Sequence, residues 1–327
     1  MGITQLLSSF VTKSGMDRIY SFSQSQILSF TMKIAIHGRN FNEETKPFVQ
    51  AMFKELEQIG AEVQLQASYS SFLSEAGITY TASSFYTNHT NLQEVDLILS
   101  LGGDGTLLDV VTHVGAKETP ILGINTGRLG FLATIPPDKI SESLAEVFAG
   151  NYSIDKRTLV GIEARLNNQP LDIFEGVNFG LNELGIMKTD TSSMIVVKAY
   201  LNGQYLNAYW ADGVIISTAT GSTGYNLSVG GPLVMPGSDI FVVAPMSPHN
   251  LNVRPLVITT DSILDFEVES RSANYLISLD SRSKVVDSSV KIRLKREAFQ
   301  ANIIKLSNTN FLNTLRSKLN WGLDIRN

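Results

Sequence analysis

The stretch Leu97-Ile98-Leu99-Ser100-Leu101-Gly102-Gly103-Asp104-Gly105-Thr106-Leu107-Leu108 carries the signal from which the fold is read. A short apolar run stops at two glycines, and a helix-like stretch from Leu107 to Val114 follows. A strand that hands over to a helix marks a parallel sheet, because parallel neighbours need a crossover, usually a helix. The same alternation extends outward. Residues 33–37 form a compact apolar run, and residues 43–59 carry Phe48, Met52, Leu56 and Ile59 at helical spacing, ending at Gly60. Residues 62–66 alternate as a strand, residues 120–124 read as another, and residues 141–148 read as a helix closed by Gly150. Residues 32–150 are therefore expected to form a Rossmann-like α/β domain on a parallel sheet. Ligands of such sheets sit beyond the carboxyl ends of the strands, and two of those ends carry glycine clusters here.

After Gly150 the texture changes to short Val- and Ile-rich runs, among them 159–166, 194–201, 214–217, 240–243, 256–260, 263–268, 275–279 and 290–294. Turn residues separate them, and Asn202-Gly203 between two runs is a hairpin signal. Residues 151–294 are expected to form an all-β domain. Residues 310–319 read as a helix, and the segment 295–327 is expected to pack back on the first domain. The fold class is thus α/β followed by β.

Composition narrows the function. Of 327 residues, 43% are hydrophobic and only 17% charged, against roughly 25% charged in an average soluble domain. Disordered chains have the opposite balance. No apolar run approaches the ~18 residues of a spanning helix, so no membrane partner is expected. The 26 Lys+Arg and 31 Asp+Glu give a formal charge of −5, which argues against a nucleic-acid surface. The chain has no cysteine, which excludes disulfides, thiolate metal sites and cysteine nucleophiles and fits a reducing, cytoplasmic compartment. Residues 1–31 are serine-rich, with Lys13, Asp17 and Arg18 as their only charges, and lack the features of a secretory signal. They are expected to lie outside the fold as an extension, with Met32 as the biological start.

The chemistry is in the glycine clusters. Gly102-Gly103-Asp104-Gly105-Thr106 stands at a strand-to-helix junction, where glycines let backbone N–H groups approach an anion and the helix aims its positive end at the same point. Asp104 is the odd member, because a carboxylate repels phosphate. It can take a proton from a hydroxyl or position Mg²⁺, or it can simply cap the helix. The dinucleotide fingerprint fails at its third glycine, so an ordinary Rossmann dehydrogenase loses weight. The four histidines, His37, His89, His113 and His249, have no metal-ligand spacing. A second cluster runs from Asp212-Gly213 through Thr218-Ala219-Thr220-Gly221-Ser222-Thr223-Gly224-Tyr225-Asn226 to Ser228. Its hydroxyls and amides make a neutral anion cradle, with Tyr225 placed to flank a base or ribose, although such strings are also common in plain surface loops. A third, Asn125-Thr126-Gly127-Arg128-Leu129-Gly130-Phe131, offers Arg128 to a phosphate or to solvent. Asn182-Glu183, set among Leu181, Leu184 and Ile186, can read a ribose diol or cap a strand end.

Taken in this order, these motifs resemble the NAD kinase family. The stretch from Pro248-His249 to Arg254-Pro255-Leu256-Val257 and the strand end Ser278-Leu279-Asp280 extend the likeness, which covers the chain from Met32 onward. The first motif alone is shared with phosphofructokinases and with lipid kinases of the diacylglycerol type; the combination is specific. The resemblance implies ATP-dependent phosphorylation of the 2′-hydroxyl on the adenosine ribose of NAD, giving NADP, with Mg²⁺ accompanying ATP and no residue assigned to the metal. It implies Asp104 as the general base and Gly102, Gly103, Thr106 and Arg128 at the ATP phosphates. It implies Gly105, Phe131, Asn182, Glu183, Ser193 and Asp212 at the NAD, with Thr223, Gly224, Tyr225, Asn226, Leu227 and Ser228 lining the adenosine pocket. The family often has glutamine two residues after the strand-end aspartate, whereas Arg282 stands here, which puts a cation at the dinucleotide. A homo-oligomer, dimer or tetramer, is a further implication. Two rivals follow from the shared motifs: a diacylglycerol- or sphingosine-type lipid kinase, and a non-catalytic NAD(P) sensor.

Overall fold

The computed structural model describes residues 31–189, 193–307 and 310–321, so most of the serine-rich extension lies outside the described residues. The described residues divide into two compact units: the first takes those up to residue 110, those of 119–155 and those from 303 on, and the second takes those of 111–118 and 156–302.

The first unit is a parallel sheet. Its strands are β1 (Lys33–Gly38), β2 (Glu62–Gln66), β3 (Ser84–Tyr86), β4 (Leu97–Gly102) and β5 (Ile121–Asn125), in spatial order β5-β4-β1-β2-β3. Every pairing among them is parallel. β4 and β5 are buried along their whole length, which is why they read as unbroken apolar runs with no alternation. The helices are α1 (Lys46–Gln58), α2 (Ala67–Glu75), α3 (Asp104–Val114), α4 (Ile140–Phe148) and α5 (Phe311–Leu319).

Helix α1 buries Val49, Met52, Phe53 and Leu56, the i, i+3, i+4, i+7 stripe of a one-sided helix. Met52 and Leu56 of the stripe read in the sequence face the core, whereas Phe48 and Ile59 are exposed and Val49 and Phe53 take their place. Helix α2 and strand β3 had no counterpart in the sequence reading. The sequence of α2, Ala-Ser-Tyr-Ser-Ser-Phe-Leu-Ser-Glu, is poor in strong helix formers. It forms because Tyr69 and Leu73 are buried, Gln66 caps the Tyr69 N–H, and Ser70 and Ser74 hydroxyls donate back to the Ala67 and Ser70 carbonyls.

The second unit is a two-sheet sandwich of β6 (Tyr152–Leu166), β7 (Gln169–Leu171), β8 (Phe179–Gly180), β9 (Glu183–Met187), β10 (Ile195–Leu201), β11 (Gln204–Ala211), β12 (Gly213–Thr218), β13 (Ile240–Met246), β14 (Leu256–Thr259), β15 (Leu264–Glu269), β16 (Asn274–Leu279), β17 (Arg282–Asp287) and β18 (Lys291–Leu306). One sheet runs β11-β10-β15-β18, with β6 beside β18; the other runs β14-β13-β12-β9-β16-β17 with every neighbour antiparallel. Their inner faces share one core, to which Val197, Phe266 and Ile292 contribute from the first sheet and Val214, Val243 and Ile277 from the second. Asn202 and Gly203 link β10 to β11 with φ of 51° and 79°, the left-handed pair that a two-residue hairpin requires.

β18 continues to Leu306, well beyond the run ending at residue 294. Its middle, Lys-Arg-Glu-Ala-Phe-Gln, is largely polar and partly exposed, so it lacks the apolar signature of a strand. From Ile303, which pairs in parallel with Ile121, the strand belongs to the first unit, as does α5.

Candidate functional site

In the first unit the turn between β4 and α3 carries Asp104. Gly102 is obligatory there, since a Cβ would lie 2.0 Å from the Thr106 hydroxyl. Gly103 and Gly105 are different: a Cβ at either would meet nothing within 4 Å, so the backbone on both sides of Asp104 faces open space. The Gly103 carbonyl accepts the first N–H groups of the helix, from Thr106 and Leu107. The Asp104 carboxylate turns instead to the loop after β5. Its Oδ2 accepts from the Phe131 N–H at 2.7 Å, and its Oδ1 accepts from Leu132 and Ala133 at 2.9 and 3.0 Å. That arrangement sets the helix-cap reading aside.

Asn125, quoted in the sequence motif but given no role there, organises the same loop. Its Nδ2 donates to the Arg128 and Ala133 carbonyls and its Oδ1 accepts from the Gly127 N–H. Arg128 is exposed, and the Phe131 ring lies 6.2 Å from that of Phe311 on α5, with the Lys318 ammonium 5.9 Å from its centroid.

In the second unit Asn182 and Glu183 stand where β9 begins, beside the loop after β12. Asp280, at the β16–β17 turn, accepts from the Leu181, Asn182 and Glu183 N–H groups at 2.7, 2.7 and 3.1 Å. Thr218 takes the other edge: its hydroxyl donates to the Leu181 carbonyl and its N–H to that of Asn182. Burial, reinforced by the neighbouring Asp280 charge, pushes the Glu183 carboxyl up to about 8, partly opposed by the Tyr225 N–H. Its Oε2 is buried with no hydrogen-bond partner in the protein.

The loop itself forms a 3₁₀ turn, Thr220–Thr223, and one helical turn, Tyr225–Ser228. Gly221 is required, because a Cβ would lie 2.1 Å from the Asn182 carbonyl oxygen; Gly224 packs against Glu183. Tyr225 and Ser228 are exposed, and Thr223 and Leu227 are half-buried. Asn226 is fully buried, with its Nδ2 donating to the Ser222 and Pro232 carbonyls, which closes the loop, and its Oδ1 buried with no hydrogen-bond partner in the protein. Asp212 pairs with Lys188 at 2.7 Å, and Ser193 is half-buried just before β10. Arg282 opens β17. Its guanidinium donates to the Val177 carbonyl at 2.6 Å and to the Phe179 carbonyl, and lies 5.3 Å from the Phe174 ring centroid.

Among the described residues no group of three or more His, Asp or Glu side chains could hold a metal ion, and no helix is long and apolar enough to cross a membrane.

Comparison with known proteins agrees with these motifs. Residues 26–152 match the model of the ATP-NAD kinase N-terminal domain, and residues 181–306 match that of the C-terminal domain. The NAD kinase of Cytophaga hutchinsonii is 46% identical over 297 residues, covering 90% of this chain and all of that protein. The NAD kinase of Bacteroides fragilis is 39% identical over 299 residues, with the same coverage. Among solved structures, yeast NADH kinase complexed with NADH aligns with a TM-score of 0.81 at 20% identity, covering 90% of this chain and 89% of the other. An Archaeoglobus fulgidus NAD kinase in complex with ATP aligns with a TM-score of 0.67 at 23% identity, covering 88% and 99%. At such identities these two speak for the fold.

Proposed function

The chain belongs to the NAD kinase family and phosphorylates NAD, and we propose that it transfers the phosphoryl group of ATP to the 2′-hydroxyl of the adenosine ribose, with Asp104 as proton acceptor. The observation that carries this reading is the open backbone at Gly103 and Gly105 on either side of a fixed carboxylate. The comparisons lend no support to a lipid kinase or a non-catalytic sensor.

The mechanism follows from the chain's own groups. A ribose hydroxyl is a poor nucleophile near neutral pH, and a positioned carboxylate accepting its proton is worth roughly 10²–10⁴-fold. A carboxylate offers about four acceptor positions. The loop amides use three of those of Asp104, which fixes its orientation and leaves one on Oδ2 for the hydroxyl proton. The amides of the turn and the N-terminus of α3 suit the ATP phosphates. Asn182 and Glu183 suit the adenine–ribose part of NAD, with Tyr225 and Ser228 exposed beside them. Asp212, held by Lys188, is assigned to the nicotinamide end.

Among the described residues no side-chain cluster could hold a metal by itself, which suits a divalent ion carried in on the ATP phosphates, since Mg²⁺ keeps much of its water. Bound there, Mg²⁺ would neutralise charge on the transferring phosphoryl group. A homo-oligomer and a cytoplasmic location complete the proposal. Exposed Tyr205 and Trp210 on the edge strand β11 favour the first, and light scattering on the purified protein tests it. The function itself is tested by incubating the protein with NAD and MgATP under a coupled NADP readout. Formation of NADP by the wild type and its loss in Asp104→Asn are expected; NADP formation undiminished in that variant would remove Asp104 from its role.

A further inference from the structure

Segment 177–183 has its backbone fastened from both edges, and one hairpin turn supplies much of the fastening. All six backbone polar groups of Leu181, Asn182 and Glu183 are committed within the protein. The three N–H groups go to the Asp280 carboxylate. The Leu181 and Asn182 carbonyls go to Thr218, and that of Glu183 accepts from the Asp280 N–H. Just upstream, the Val177 and Phe179 carbonyls accept from Arg282. The Glu183 carboxyl takes the Tyr225 N–H but keeps its Oε2 buried and unpartnered.

We infer that Asp280 and Arg282 are positioning residues for the acceptor substrate: from the two sides of the β16–β17 turn they hold the two ends of segment 177–183 and thereby aim Asn182 and Glu183 at NAD. The inference rests on the reading that those two side chains contact the dinucleotide. Three observations support it. Asp280 sits at φ 51°, the left-handed conformation that a two-residue hairpin turn uses and that aspartate adopts more readily than most residues, so the turn itself sets where the carboxylate stands. Gly180 leaves room for the contact, since a Cβ there would lie 2.9 Å from Asp280 Oδ1. Arg282 takes a place where the family often carries glutamine, and its planar fork gives a separate charged nitrogen to each of two carbonyls two residues apart. Burial pushes the Asp280 carboxyl up while the three amides and the Arg282 charge pull it down, so the two ends of the turn also stabilise one another.

Steady-state kinetics of the full chain test this. Arg282→Met is expected to raise KM for NAD about tenfold while kcat and KM for ATP stay within about twofold, the pattern of lost acceptor binding. Arg282→Lys, which can reach one carbonyl, should recover part of that loss. In a Glu183→Gln background the same Arg282→Met change should cost less than about threefold, because the aim of a group already removed no longer matters. An unchanged KM for NAD in Arg282→Met, a parallel rise in KM for ATP, or strict additivity with Glu183→Gln would overturn the inference. Asp280→Asn should behave like Arg282→Met if it folds; Arg282→Lys and Arg282→Met carry the test if it does not. Should Asn182→Ala and Glu183→Gln leave KM for NAD unchanged, the reading beneath the inference fails, and the inference with it. An effect of those two variants without one from Arg282 defeats the inference alone.

Discussion

Gly130 and Asp104 are in such close register that a Cβ on the glycine would lie 1.9 Å from the aspartate's Oδ1. The carboxylate can reach the next three N–H groups only because that side chain is missing. Gly130→Ala must therefore push Asp104 out of the loop, leaving buried amides unmet at about 1–3 kcal/mol. Turnover is expected to fall by ~10²-fold or more, as when a catalytic group is displaced by about an ångström. Gly103→Ala, where a Cβ meets open space, should fold normally and weaken only ligand binding. Thermal denaturation alongside kinetics separates the two; equal melting temperatures for both variants would contradict the clash.

Asp104→Asn keeps the size of the side chain, removes its charge and, because an amide nitrogen cannot accept, gives up at least one of the three loop N–H groups. Binding of NAD should survive while kcat drops ~10²-fold or more. Isothermal titration with NAD and single-turnover kinetics check the two halves separately, and near-wild-type turnover would end the general-base assignment.

Glu183 predicts an unusual pH dependence of stability. Its carboxyl is raised by burial to about 8 in the folded chain, against an ordinary value of 4.5. Between those values the folded state keeps a proton that the unfolded state has lost, so stability falls as pH rises through that window, by up to roughly 5 kcal/mol if the whole shift is expressed. Urea denaturation at several pH values from 5 to 8.5 should show the decline in the wild type and a flatter profile in Glu183→Gln. Parallel profiles would show that Glu183 is not the group responsible.

Metal removal should separate catalysis from folding. The described residues provide no cage for a divalent ion, so its contribution to stability is expected to be nil. A chelator should abolish turnover, Mg²⁺ should restore it, and the melting temperature of the unliganded protein should stay within about 1 °C throughout. A large drop in melting temperature would point to a structural metal.

These tests concern contacts that the sequence reveals unevenly. β4 and β5 were legible because they are buried throughout and leave unbroken apolar runs. α1 is legible as a helix with Met52 and Leu56 inward, but its flanks mislead, because Phe48 and Ile59 look like core residues and face solvent. α2 was hidden by its serines, whose hydroxyls bond within the helix itself. In the candidate site the glycine clusters announced themselves, since short-range spacing carries them. The partners of Asp104 and Asp280 did not: they lie 27 to 29 and 97 to 99 residues away, and they are backbone amides with no residue type to recognise. Arg282 stood out as a departure from the family pattern, but only the folded chain turns it toward two carbonyls.

Asp104 and Asp280 each grip three successive amides, and neither grip depends on which side chains those amides belong to. In a saturation mutagenesis library the columns for 131–133 and 181–183 should therefore share one blind spot: proline, the residue with no N–H to give. Leu132→Pro should inactivate the enzyme where Leu132→Met does not. A catalogue of conserved side chains would pass over such positions, although the shape of each loop hangs on them.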